Sequence, residues 1–102
     1  MPKDSQLENE TETLYETCEP RYYKVVLLND DYSTQDFVIE VLQKIFGKNT
    51  EDSINLMLQI HNNGRGICGI YPYDIAETKV MQVQKMARER EYPLRAVIEH
   101  YI

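Results

Sequence analysis

The chain has 102 residues, with 11 Lys+Arg against 17 Asp+Glu and a formal net charge of -6. That length suits one small domain, and no apolar run approaches the ~18 residues of a membrane span. An acidic chain lacks the basic face that phosphate binding needs, so nucleic acid is excluded as a partner.

Residues 1 to 20 carry one basic residue, Lys3, and six acids (Asp4, Glu8, Glu10, Glu12, Glu16, Glu19), a net of -5. Residues 21 to 102 are close to neutral, with 10 basic and 11 acidic residues. The first segment has few large apolar residues and no periodicity, so it cannot bury enough surface to offset chain entropy. The expectation is a flexible acidic extension over 1–20 and one folded domain over 21–102. On the residues alone the extension is either a solubilising leader or a segment that another protein engages. The polar N-terminal decapeptide has no apolar h-region, so no secretory signal is expected.

Tyr22 to Leu28 is β-branched, aromatic and aliphatic, and predicts a strand. Asn29-Asp30-Asp31 ends it with side chains that bond nearby backbone. Ser33 and Asp36 have capping-box spacing. Phe37, Val38, Val41, Leu42 and Ile45 then form one apolar stripe of a helix that stops at Gly47. Thr50 is placed to cap a second helix, with Glu51 and Asp52 in its first turn. Ile54, Met57, Leu58 and His61 share a face of it, and Asn62-Asn63-Gly64 ends it. Gly66 to Tyr71 alternates poorly but reads as a short strand with close backbone approaches at its glycines. Asp74 is placed to cap a third helix running to about Glu91, with Ala76, Val80, Val83 and Ala87 inward and Pro93 as the stop. Leu94 to Tyr101 predicts a last strand. The order β-α-α-β-α-β implies an α+β fold, three helices packed on a three-stranded antiparallel sheet.

Enzyme chemistry finds no competent cluster. There is no CxxC or HxxxH, and His61 and His100 are isolated, so no metal is expected. Two cysteines are too few for a disulfide framework, and a reduced, cytoplasmic compartment is the simplest reading. Cys68 in a strand reads as a small buried hydrophobe rather than a nucleophile. No glycine pattern matches a phosphate-binding loop. Asp30 and Asp31 are adjacent in an extended segment and point apart, which is unsuited to a shared proton. Neither catalysis nor a cofactor is expected. Polar residues do stand beside apolar segments: Asn29-Asp30-Asp31 closes an apolar strand, and His61 lies one turn after Met57. Each reads either as ordinary turn or helix-end chemistry or as part of a binding site.

Leu27-Leu-Asn-Asp-Asp-Tyr-Ser33, Leu56-Met-Leu-Gln-Ile-His61, Gly64-Arg-Gly-Ile-Cys-Gly69, Ala76-Glu-Thr-Lys79 and Tyr92-Pro-Leu94 occur in an order and spacing that resemble the bacterial adaptor family ClpS. The resemblance covers about residues 22 to 100. A more distant relation of fold is the C-terminal domain of the ribosomal stalk protein, so a non-enzymatic structural or partner-binding domain is the alternative. The family resemblance implies a non-catalytic, monomeric adaptor. It binds a substrate's free N-terminal Leu, Phe, Tyr or Trp and delivers it to the N-terminal domain of the AAA+ unfoldase ClpA or ClpC, which feeds the ClpP protease. By their match to the family motif, Asn29, Asp30 and His61 would take the α-amino group and Asp31 the backbone of the second position. Val38, Met57, Ile60 and Leu94 would wall an apolar pocket, with Ser33 near its rim. Gln35 stands where many members carry a Met that gates out β-branched side chains, so looser exclusion of Ile or Val, or a changed preference among aromatics, is expected. Asp74, Glu77, Thr78 and Lys79 would contact the unfoldase; as bare residues, Asp74 and Glu77 also read as helix-start chemistry. A histidine that accepts from an amine must be neutral at one ring nitrogen, so acidification is expected to weaken binding.

Overall fold

The computed structural model describes residues 21–101; the expectations for residues 1–20 lie outside the described residues. Six elements follow in the expected order: β1 (Tyr22–Leu28), α1 (Gln35–Lys44), α2 (Thr50–Asn63), β2 (Arg65–Pro72), α3 (Tyr73–Arg90) and β3 (Arg95–His100). The fold is α+β. The strands form one antiparallel sheet in the order β2-β1-β3, so β1, the most apolar strand, occupies the centre. Val25 and Leu27 on one face of β1 are fully buried with Val41 and Leu42 of α1 and Val83 of α3.

The poor alternation of β2 has a physical cause. Val25 pairs with Gly69 and Val26 with Ile67, which leaves Cys68 as an extra residue in a β-bulge. The bulge resets the two-residue period and turns Cys68 into the core, where it is 1% exposed. Burial pushes its thiol up to about 12. It is a buried hydrophobe, as expected.

The α1 stripe is buried as expected, but its cap is Thr34, whose Oγ1 accepts from Phe37 N–H at 3.1 Å. Ser33 is drawn instead to the carboxylate of Asp30. Helix α2 is capped by Asn49, not Thr50; its Oδ1 accepts from Asp52 N–H at 2.7 Å, in keeping with the higher capping rank of Asn over Thr. Helix α3 begins at Tyr73 after Pro72, with no side-chain cap, and Asp74 lies inside its first turn. Fixed φ at Pro72 pre-sets the chain direction into the helix. Its inner face is Ala76, Val83 and Ala87, with Val80 half-buried. A bidentate pair from Arg90 to Glu40 ties the end of α3 to α1, and the Phe37 and Tyr92 rings meet at 4.8 Å.

The expected face of α2 is one position off. Ser53, Met57 and Ile60 are buried, whereas Ile54 and Leu58 are 39% and 41% exposed. Gly66 decides this rotation. A Cβ at Gly66 would lie 2.7 Å from Ile60 Cγ1 and 3.0 Å from Leu56 Cδ1, so β2 approaches α2 across bare backbone on that side. Gly64, at φ 90, supplies the left-handed C-cap that turns the chain from α2 into β2.

Candidate functional site

The acidic loop after β1 and the end of α2 are brought together by one backbone bond. Asn29 N–H donates to the carbonyl of Gly64 at 2.9 Å, and Gly64 is the C-cap of α2. His61, three residues before that cap, therefore faces the loop. Between them opens a cavity of about 210 Å³, lined by Asn29, Asp30, Asp31, Ser33, Gln35, Val38, Met57, Ile60 and His61. Val38 comes from the α1 stripe, and Met57 and Ile60 from the buried face of α2.

The loop itself is shaped by Asp30. Its Oδ1 accepts from Tyr32 N–H at 2.8 Å and Ser33 N–H at 2.6 Å, and its Oδ2 accepts from Ser33 Oγ at 2.8 Å. Asp30 is half-buried, while Asn29, Asp31 and His61 are exposed to an incoming ligand. The lining holds two carboxylates, two amides, a hydroxyl and a histidine around three apolar side chains. His61 is its one basic side chain, and it lies in the last turn of α2. Such a site suits a cation joined to an apolar group: acceptors and negative charge for one end, a desolvating wall for the other. A primary ammonium on a carbon bearing an apolar side chain has that form.

The structure gathers all the residues expected at this site except one. Leu94, expected in the pocket wall, is not among the residues lining this cavity. It is 4% exposed in the core, just ahead of β3, and borders a larger, shallower cavity of about 590 Å³ with Gln84, Ala87, Arg88, Glu91, Tyr92 and Pro93. The rotation of α2 puts Ile60 in the wall beside Met57. The sequence suggests backbone bonding by the turn side chains and close approaches at the β2 glycines; it leaves unassigned that Asp30 is the residue that closes the loop and that Gly66 is the glycine resting against Ile60 and Leu56. Aspartate two and three residues ahead of free backbone N–H groups is the signal that could have revealed the first.

Asp74, Glu77, Thr78 and Lys79 lie on the first two turns of α3, next to the Tyr22 end of β1, which pairs with Pro72. That end is roughly 24 Å from Asn29, seven residues away at about 3.4 Å per residue along the strand. Asp74, Glu77 and Thr78 are exposed. Lys79 is half-buried: its Nζ donates to the carbonyl of Ile45 at 2.7 Å, where α1 ends, and lies 5.7 Å over the Tyr71 ring. Among the described residues no group of three His, Cys, Asp or Glu side chains could hold a metal, and no helix is long and apolar enough to cross a membrane.

A sequence model of the family described as "ATP-dependent Clp protease adaptor protein ClpS" matches residues 18–97. The chain belongs to the ClpS family. It is 58% identical over 99 residues to the ATP-dependent Clp protease adapter protein ClpS of Wolinella succinogenes, covering 97% of each chain. The corresponding ClpS of Acetivibrio thermocellus is 51% identical over 88 residues, covering 86% of this chain and 89% of that one. Among solved structures, Agrobacterium tumefaciens ClpS2 bound to L-phenylalaninamide matches with a TM-score of 0.78 and 34% identity, over 80% of this chain and 99% of that chain. ClpS proteins are adaptors of the Clp protease rather than the protease itself.

Proposed function

We propose that the chain is a cytoplasmic, monomeric adaptor that captures the free N-terminal Leu, Phe, Tyr or Trp of N-degron substrates and delivers them to ClpA or ClpC with ClpP. The observation that carries this reading is the cavity itself, with ammonium acceptors at its mouth and an apolar floor. The ligand of the Agrobacterium relative, an amino-acid amide with a free amine and an aromatic side chain, has the same chemistry. Asn29 and His61 accept from the ammonium inside the negative field of Asp30 and Asp31. Asp31 reaches the backbone of the second position, and the first side chain enters against Val38, Met57 and Ile60. Desolvating a Leu or Phe side chain contributes ~1.5–3 kcal/mol. Each charge-assisted hydrogen bond to the amine adds a further ~1.5–3 kcal/mol before desolvation costs. These magnitudes suit a transient carrier. Asp74, Glu77, Thr78 and Lys79, at the far end of the sheet, would meet the unfoldase, so both partners could be held at once. A purely structural domain would have no use for such an array beside an apolar floor.

Fluorescence anisotropy tests this with labelled peptides that begin with free Leu or Phe and with the same peptides N-acetylated. Acetylation removes the cation and should abolish binding; equal binding of both forms would sink the reading. His61→Ala should weaken the free-amine peptide by tenfold or more while leaving the melting temperature near that of the parent. Peptides that begin with Ile or Val extend the same titration. Gln35 at the rim, in place of a gating Met, predicts measurable binding of both, and strict exclusion would overturn that point alone.

A further inference from the structure

The resemblance places Asp30 among the direct acceptors of a substrate's amine, but most of its carboxylate's acceptor capacity is already taken. A carboxylate offers about four lone-pair sites. Tyr32 N–H and Ser33 N–H take both sites on Oδ1, and Ser33 Oγ takes one on Oδ2. Among the described residues no other side chain bonds the interior of the loop. Its backbone is pinned at one end by Asn29 N–H on Gly64, and at the other by Val38 N–H on the carbonyl of Thr34. Between those anchors the Tyr32 and Ser33 amides have only Asp30 as partner among the described residues.

Resting on the function proposed above, we infer that Asp30 is a positioning residue of the amine site. Its carboxylate folds residues 29–33 into a side-chain-closed turn. That turn sets Asn29 and Asp31 on either side of the mouth, opposite His61. The ammonium draws its direct hydrogen bonds from those neighbours, and Asp30 contributes its charge only as part of the surrounding field. Asp30 also keeps Ser33 away from the α1 cap, and Thr34 takes that place. One residue thereby fixes both the shape of the mouth and the start of the helix that carries Gln35 and Val38.

Two substitutions separate geometry from charge. Asp30→Asn keeps an acceptor at the same reach and forms the same class of turn, but it is neutral. Asp30→Glu keeps the charge but is one methylene too long to close the turn. Affinity for a free-Leu peptide should fall by no more than about fivefold in Asp30→Asn, the scale of one charge that stays partly in solvent and makes no direct bond to the amine. It should fall by more than about tenfold in Asp30→Glu, the scale of lost hydrogen bonds to a charged group. A tenfold or greater loss in Asp30→Asn, whatever Asp30→Glu does, would make Asp30 a direct counter-ion and overturn the inference. Full binding by Asp30→Glu would overturn it as well. Amide exchange of Tyr32 and Ser33 in the peptide-free protein supplies a readout independent of function: protection should persist in Asp30→Asn and be lost in Asp30→Glu. If the parent protein binds acetylated and free peptides alike, the proposed function fails. The exchange rates then still decide whether Asp30 holds the turn.

Discussion

Gly66→Ala is the sharpest test of how the fold builds the site. The added Cβ would sit 2.7 Å from Ile60 Cγ1, 0.7 Å short of the 3.4 Å at which ordinary contact begins. Leu56 Cδ1, at 3.0 Å, blocks the neighbouring direction. Ile60 is 2% exposed and β-branched, so it has no open rotamer to escape into. Helix α2 must therefore move away from β2, carrying Met57, Ile60 and His61 with it. Overpacking of this kind costs ~1–3 kcal/mol. Replacing a strand-interior Gly returns roughly 0.5–1 kcal/mol through chain entropy. A net loss of about 1–2 kcal/mol corresponds to a melting temperature lower by about 4–16 °C in a domain of this size. Gly47→Ala is the matched control. At φ 67 it strains the backbone by roughly 1–2 kcal/mol, yet nothing lies within 4 Å of its Cβ, so it pushes on no helix. Thermal melts, methyl spectra of Met57 and Ile60, and peptide anisotropy well below both melting points would be compared. Both variants should melt lower, while only Gly66→Ala shifts the methyl signals and weakens the peptide. A Gly66→Ala protein that melts at or above the parent with unshifted methyl signals would refute the steric reasoning.

Two further outcomes follow from titrating groups. The Arg90 guanidinium, hydrogen-bonded to Glu40 and assisted by Lys44, holds its carboxyl down from 4.5 to about 2. A carboxylate depressed in the folded state contributes stability above the ordinary value, and that contribution is lost as pH falls through the folded value. Urea melts should lose stability between pH 4.5 and 2 more steeply in the parent than in Glu40→Gln, with added salt narrowing the gap; parallel curves would exclude the pair as a source of acid sensitivity. Burial pushes the Cys68 thiol up to about 12, so in a Cys18→Ser background a thiol reagent at pH 8 should label the chain only as it unfolds. Stoichiometric labelling of the native protein would contradict the packing of the bulge.

Local patterns were legible where one period dominates. β1 runs from Tyr22 to Leu28 as its apolar run predicts, and every member of the α1 stripe is buried. The α2 face was not legible. Ile54, Leu56, Met57, Leu58 and Ile60 surround the helix, so sequence alone offers two nearly equal rotations. Ser53, fully buried, carries no apolar signal at all. Caps missed by one position at Ser33 and Thr50, because neighbouring side chains compete for the same N–H groups and only the folded loop settles which wins. Asp30 took Ser33, and Asn49 stood one residue ahead of Thr50.

Composition and short-range order determine on their own that the chain alternates strand and helix as β-α-α-β-α-β, that its acidity is concentrated in residues 1–20, and that an acidic turn and a histidine are available. Those properties depend on residues within a few positions of one another. The cavity does not. It exists because Asn29 bonds Gly64 across 35 positions, because α2 rests on a glycine of β2, and because Asp30 spends its carboxylate on its own loop. Leu94 shows the same division: its identity suits a pocket wall, and only the packing of β3 places it elsewhere. Which acceptors converge, and at what separation, is a property of contacts between distant segments, and tertiary structure alone decides it.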